Sequence, residues 1–227
     1  MQSKIMLSKR LGSAVPYVRQ GARVVDVGTD HAYLPIHLVE AGIAQAALAA
    51  DINRGPIECA RANIAEVGLA DRIDTLQTDG LHGVEAFVPD HVIVFGMGGE
   101  LIERILAEAE WIKTPSVRLI LQPMSRAATL RAWLIENGFA ITGETLTYED
   151  KKYYQTLAAE WCGDRIVYSE VELEVGRLNI ERRPPIFEDF VRHEISVLDR
   201  VIAGKNQARA VDIAEEIMMR KALEELL

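Results

Sequence analysis

Residues 23–35 read RVVDVGTDHAYLP. An apolar run closes on an acid and a glycine, the way a buried strand hands the chain to a ligand-binding turn at the carboxyl edge of a parallel sheet. A dinucleotide turn would continue with two more glycines, so that bare amides at a helix N-terminus meet the pyrophosphate. Asp30 and His31 stand there instead. A carboxylate at that point repels a diphosphate and suits a ligand that carries positive charge. The stretch therefore predicts a Rossmann-like fold and argues against a nicotinamide dehydrogenase.

Outward from this turn, short apolar runs alternate with helical patterns. Strands are predicted over 23–28, 46–51, 73–78, 91–97 and 118–123, each bearing the Val, Ile, Leu or Ala of strands buried on both faces. Helices are predicted over 33–41, 55–67, 99–110 and 126–137, with Gly42, Gly68 and Gly138 as stops, Pro56 in a first turn and Ser125 as an N-cap. Two strand-like runs, 139–149 and 153–161, then read as an antiparallel hairpin on the sheet edge. The expected fold is α/β: a doubly wound, mostly parallel seven-stranded sheet of the class I methyltransferase type, followed by a C-terminal helical hairpin. The division falls at 1–163 for a catalytic domain and 164–227 for a helical, coiled-coil-like tail. In the tail, Ile186, Phe190, Ile195, Leu198, Val201 and Ile202 form one apolar stripe. Gly204 interrupts, and Val211, Ile213, Ile217, Met218 and Leu223 form a second.

Bulk composition is that of a soluble globular chain, 49% hydrophobic and 26% charged over 227 residues. No apolar run approaches the roughly 20 residues that span a bilayer, and the N-terminus is too polar for a signal peptide. Cys59 and Cys162 show no metal spacing and read as inert packing thiols of a reducing compartment, so a cytoplasmic protein with no metal is expected. The net charge of −9 argues against a protein that coats nucleic acid. However, Lys4, Lys9, Arg10, Arg19 and Arg23 all precede the first acid, Asp26. A local basic face can still meet a polyanion, because charge is felt only over roughly 8 Å.

Ligands of open parallel sheets sit beyond the strand carboxyl ends. Here those ends hold Gly28-Thr29-Asp30-His31, Asp51, Asp79-Gly80, Gly96-Met97-Gly98-Gly99 and Gln122-Pro123-Met124. Gly28 permits close backbone approach. Asp51 is placed to accept from ribose hydroxyls, which either a dinucleotide or S-adenosylmethionine would offer. The first turn favours S-adenosylmethionine, whose sulfonium and ammonium welcome Asp30, with His31 or an amide for the carboxylate. Asp79 can accept from the adenine amine. The Gly96–Gly99 loop, stripped of side chains, would let a planar base approach the methyl donor.

Together DVGTDHAYLP, DGL at 79–81, VIVFGMGGELI at 92–102 and LILQPM at 119–124 resemble the bacterial tRNA (adenine(22)-N1)-methyltransferases. LSKRL at 7–11 and YED…YY at 148–154 extend the resemblance over most of the first 160 residues. Met124 stands where that family's pattern has Asn, and Arg177 where it has Pro.

The resemblance implies methyl transfer from S-adenosylmethionine to N1 of an adenine in tRNA. It implies donor contacts by Asp26, Gly28, Thr29, Asp30, His31, Asp51, Ile52, Asp79, Gly80 and Gly96. Catalysis is expected at Gly96, Met97, Gly98 and Gly99, whose backbone carbonyls could accept from the N6 amine of the target adenine as charge moves onto it. Substrate contacts are expected from Lys9, Arg10, Tyr33 and Gln122, with the tail helping to hold tRNA. The partner is then tRNA, with no DNA and no membrane, as a monomer or weak dimer. Adenine N1 carries a free lone pair, so alignment rather than a strong base is required, and alignment supplies about 7–11 kcal/mol. Exposing the base costs a few kcal/mol. Two other readings share the fold: a methyltransferase for another RNA, protein or small molecule, and a non-catalytic donor-binding module.

Overall fold

The computed structural model describes residues 5–207 and 212–227. Seven strands make one sheet: β1 (Ala22–Val27), β2 (Ala44–Asp51), β3 (Ile73–Gln77), β4 (His91–Met97), β5 (Arg118–Pro123), β6 (Phe139–Glu149) and β7 (Lys152–Trp161). Their order is β3-β2-β1-β4-β5-β7-β6. Only β7 opposes its neighbours, so the C-terminal hairpin inserts its second strand between β5 and β6. The chain winds outward from β1 to β3 and then returns to β4 beside β1. That reversal opens a crevice where the carboxyl ends of β1 and β4 diverge.

The helices between strands are α2 (Tyr33–Glu40), α3 (Arg54–Glu66), α4 (Gly99–Ala107) and α5 (Ala127–Glu136), preceded by a short α1 (Lys9–Gly12). Alternation along each strand sorts side chains to two faces. Val24, Ile93, Phe95 and Ile120 join Leu34, Leu38, Ala60 and Ile64 in one core beneath α2 and α3. Val25, Val27, Val92, Val94, Leu119 and Leu121, equally buried, point the other way. The same alternation puts Asp26 and Gln122 on the α2 face, where Ala14 and Val18 of the N-terminal segment also pack. This segment is pinned to the hairpin. The Ser13 hydroxyl meets that of Thr156 at 2.6 Å, Tyr17 meets Thr145 at 2.7 Å, and Arg118 Nη1 donates to the Tyr17 carbonyl at 2.9 Å. His91, at the start of β4, is buried and structural. Burial lowers its pKa, and its Nε2 accepts from the Arg19 N–H at 3.1 Å.

One helix start differs from expectation. Ser125 does not cap α5; Arg126, at φ +58°, precedes it without a side-chain cap. The Ser125 carbonyl is committed elsewhere, accepting from the Gly99 N–H at 2.8 Å.

The chain divides into two compact units between Ile166 and Val167. The second holds four helices among its described residues: α6 (Glu170–Val175), α7 (Arg177–Arg182), α8 (Phe187–Gln207) and α9 (Ala214–Glu224). The expected antiparallel pair is α8 and α9, tied by Lys205–Glu216 at 2.5 Å and Arg220–Asp199 at 2.6 Å. Gly204 does not interrupt; it lies inside α8. Val211 lies outside the described residues. Helices α6 and α7 were not anticipated, although Ser169 and Glu172 form a capping box that marks the start of α6. Arg177 has a structural partner of its own. It donates to Glu172 through Nε at 2.7 Å and Nη2 at 3.2 Å, and lies 3.8 Å from the centre of the Tyr168 ring. The guanidinium holds the Glu172 carboxyl down at about 2. Within the same unit, burial beside Glu174 pushes Glu194 up to about 7.

Candidate functional site

The turn after β1 is built from backbone. The N–H groups of Gly28 and Thr29 both donate to the Ala50 carbonyl, at 2.8 and 3.0 Å, which ties the turn to β2. Gly28 sits at φ +77°, and a Cβ there would also collide with the end of Met97. His31 is held from α3, with Nδ1 2.9 Å from Cys59 Sγ and its carbonyl accepting from Asn63 Nδ2 at 2.9 Å. Its Nε2 lies 3.3 Å from Asp30, and its ring stacks on Tyr33. The Asp30 side chain is 78% exposed. Cys59 is thus a partner of the turn rather than an inert filler, and Cys162 is exposed.

The buried acid of the site is Asp26, 8% exposed. Burial pushes its carboxyl up to about 6, and the negative charge of Asp51 adds to the rise. The Thr29 hydroxyl and the Arg10 guanidinium pull the other way. The Thr29 hydroxyl, itself fully buried, nonetheless closes no hydrogen bond of good geometry with a described residue.

Arg10 reaches this acid because α1 is clamped to the hairpin tip. Glu149 accepts the backbone N–H of Lys9 at 2.8 Å and of Arg10 at 3.2 Å. Burial opposes the Glu149 charge, but these donors outweigh it and hold the carboxyl below its usual range. The Arg10 side chain then turns inward, donating from Nη1 to Gln122 Oε1 at 3.1 Å and lying 5.9 Å from the Tyr154 ring centre. Two lobes of a cleft meet there, sharing Ser8, Arg10 and Gly96. One, of about 400 Å³, is lined by Asp26, Gly28, Thr29, Asp30, His31 and Tyr33. The other, of about 410 Å³, is lined by Met124, Glu149, Asp150 and Tyr154. A separate cavity of about 540 Å³, with Lys113 and Trp161 in its wall, lies at the amino end of the parallel strands.

The predicted residues fall into three groups. Asp26, Gly28, Thr29, Asp30, His31, Tyr33, Arg10 and Gly96 line the first lobe. Asp51, Ile52, Asp79 and Gly80 stand at the neighbouring strand ends but outside that lining. Asp51 Oδ1 accepts from the Asn53 N–H at 2.7 Å, Ile52 and Asp79 are exposed, and Gly80 is buried against Ile105. Gln122 is buried outside both linings, and its Oε1 accepts from Arg10.

The Gly96–Gly99 loop departs from its expected role as one bare platform. Only Gly96 borders the cleft. Met97 points at Gly28. Gly99 is a glycine because the backbone of Ser125 and Arg126 occupies the space of a Cβ. The Met97 carbonyl accepts from Met124 N–H, and that of Gly98 from the first turn of α4.

Among the described residues the N-terminal cations do not all face one way, and Lys9 is exposed. Lys4 lies outside the described residues, Arg19 pairs with Glu160, Arg23 donates to the Phe87 carbonyl, and Arg10 faces the cleft. Sequence reasoning missed Ser8, Glu149, Asp150 and Tyr154 as site residues. Their only signal was membership of the LSKRL and YED…YY stretches.

The cleft at the switch point of this sheet defines a class I methyltransferase domain, and a methyltransferase-domain family model matches residues 7–157. The chain is 38% identical to the tRNA (adenine(22)-N(1))-methyltransferase of Bacillus subtilis over 177 residues, covering 78% of this chain and 74% of that protein. It belongs to the tRNA (adenine(22)-N1)-methyltransferase family. Solved structures agree. The m1A22 tRNA methyltransferase TrmK of B. subtilis matches with a TM-score of 0.82 at 32% identity, over 98% of this chain and 96% of that one. A Streptococcus pneumoniae protein crystallised with S-adenosyl-L-methionine matches with a TM-score of 0.86 at 34% identity, over 98% and 100%.

Proposed function

We propose that this protein transfers the methyl group of S-adenosylmethionine to N1 of adenine 22 in tRNA. The observation that carries this reading is the pair of lobes meeting at Gly96 and Arg10, one charged and partly enclosed, the other open beside Met124 and Tyr154. The first suits the donor. Its volume of about 400 Å³ lies within the usual range of ligand sites, about 300–1,000 Å³. It offers a buried carboxyl in Asp26, a guanidinium in Arg10 and the buried Thr29 hydroxyl. A zwitterionic amino-acid end needs this mix; a pyrophosphate does not. Asp26 and Asp30 would face its ammonium, Arg10 its carboxylate, Asp51 the ribose, and Ile52 and Asp79 the adenine. When bound, the donor supplies a methyl group on a cationic sulfur.

The chain's own part is alignment. Gly96 leaves the wall between the lobes low, so that a base in the second lobe can face the first. Lys9, exposed at the rim, would contact phosphate. Residues 1–163 form the catalytic domain and 164–227 help hold tRNA, and the work takes place in the cytoplasm, where tRNA is. Among the described residues no helix is long and apolar enough to cross a membrane.

The test is incubation of unmodified tRNA with the purified protein and labelled donor, followed by mapping of the product. One 1-methyladenosine at position 22 is expected, with binding that weakens as salt rises. Label at another position, or none in tRNA, refutes the reading.

A further inference from the structure

Building on that reading, we infer that Asp150 reads the 6-amino group of the target base and stabilises the charge that methylation creates there. The second lobe has two carboxylates in its wall, Glu149 and Asp150. Glu149 is committed: its two oxygens accept the N–H groups of Lys9 and Arg10 and hold α1 in place. The Asp150 side chain has neither hydrogen bond nor ion pair with any described residue, and Asp150 is exposed and lines the cavity. It is presented on a rigid support. Asp150 and Lys151 sit at φ +49° and +62°, a two-residue turn joining strands paired at Glu149 and Lys152. Tyr154 and the exposed Met124 supply flat and apolar walls for a planar ring.

The chemistry asks for an acceptor at this point. The N1 lone pair forms the new C–N bond while the S–C bond breaks and its electron pair returns to sulfur. No proton moves. The positive charge passes from sulfur onto the N1–C6–N6 amidinium, so the N6–H becomes a stronger donor as the reaction proceeds. A carboxylate facing it gains more in the transition state than in the ground state. The same carboxylate opposes guanine or hypoxanthine, whose O6 would bring a second acceptor against it. Arg10, across the lobe, can only donate and cannot take this role.

The test compares two tRNAs, one with adenine and one with unsubstituted purine at the target position, in wild type, Asp150→Gly and Asp150→Asn. Glycine and asparagine both tolerate the positive φ. Wild type is expected to prefer adenine in kcat/KM. In Asp150→Gly the preference should shrink by on the order of tenfold or more, the worth of a hydrogen bond to a charged group, mainly through kcat. Asp150→Asn, which keeps an acceptor oxygen without charge, should fall between. Donor binding by calorimetry should be unchanged in both, since Asp150 lies outside the donor lobe.

An adenine-to-purine ratio in Asp150→Gly within twofold of wild type overturns the inference. So does loss of donor binding in both variants, which would make Asp150 a support of the turn. Failure of the functional reading itself looks different: wild type would then leave adenine 22 unmethylated, and this inference would fall with it.

Discussion

Replacing Asp26 by asparagine should make the protein more stable while impairing donor binding. Asp26 is buried, and its carboxyl is raised from 3.8 to about 6. A shift of about two units is worth about 3 kcal/mol at neutral pH, at roughly 1.4 kcal/mol per unit. Its sign follows from proton linkage. Below pH 3.8 the group is protonated in folded and unfolded chains alike, and ionisation costs nothing. Between 3.8 and about 6 the folded protein holds its proton more tightly, so stability falls as pH rises. Above about 6 both states are ionised and the full cost is present. The neutral amide of an asparagine would carry no such cost.

The stability gap between Asp26→Asn and wild type should therefore be small at pH 3.5, open through pH 4–6 and level off above. At pH 8 it should raise the melting temperature by about 6–12 °C, using about 2–4 °C per kcal/mol for a chain of this size. Tryptophan fluorescence serves as the probe, because Trp111, Trp133 and Trp161 all lie in the first unit. Added donor should raise the melting point of wild type and leave the variant unmoved, since the ammonium that balances Asp26 would have lost its partner. A gap that is independent of pH, or a variant less stable at pH 8, would falsify the reasoning.

Three other outcomes follow from the geometry. Arg10→Ala should weaken donor binding about tenfold or more in calorimetry, because the guanidinium faces Gln122 and the Asp26 lobe rather than solvent; unchanged affinity would return Arg10 to a role on RNA. Gly99→Ala should cost about 1–3 kcal/mol in urea denaturation, because its Cβ would meet the rigid backbone of Arg126; a neutral result would mean the 125–126 turn yields freely. Arg131 and Glu144 pair at 2.8 Å with both side chains fully buried, and Gln155 also accepts from Arg131. Arg131→Ala should cost about 3–5 kcal/mol, whereas Arg131→Met with Glu144→Leu should be far milder, which a denaturation series on both will check.

Most strands and helices of the first unit were legible in the sequence, since their signals are local. Val-, Ile- and Ala-rich runs end in glycine or acid, and a strand's period and a turn's residue preferences act over a few neighbours. The missed N-cap shows where that stops. Ser125 has the chemistry of a cap, but its carbonyl answers to Gly99, 26 positions earlier in sequence and one strand away in space. The short α6 was legible in Ser169 and Glu172, yet a six-residue helix carries too few apolar positions to stand out beside the long stripes after Pro185.

The sequence by itself determined the sheet, the acids and glycines at its carboxyl edge, and the unsuitability of DVGTDHAYLP for a pyrophosphate. Only the tertiary structure decided which residues share the cleft. Glu149 holds the amides of Lys9 and Arg10 across about 140 residues of chain, and that contact brings Ser8 and Arg10 of the N-terminal segment into the wall of the cleft. It also leaves Asp150 as the unclaimed carboxylate of the neighbouring lobe. The reason is physical: a charge acts on what lies within a few ångströms of it, and for Arg10 and Asp150 those neighbours come from opposite ends of the first unit.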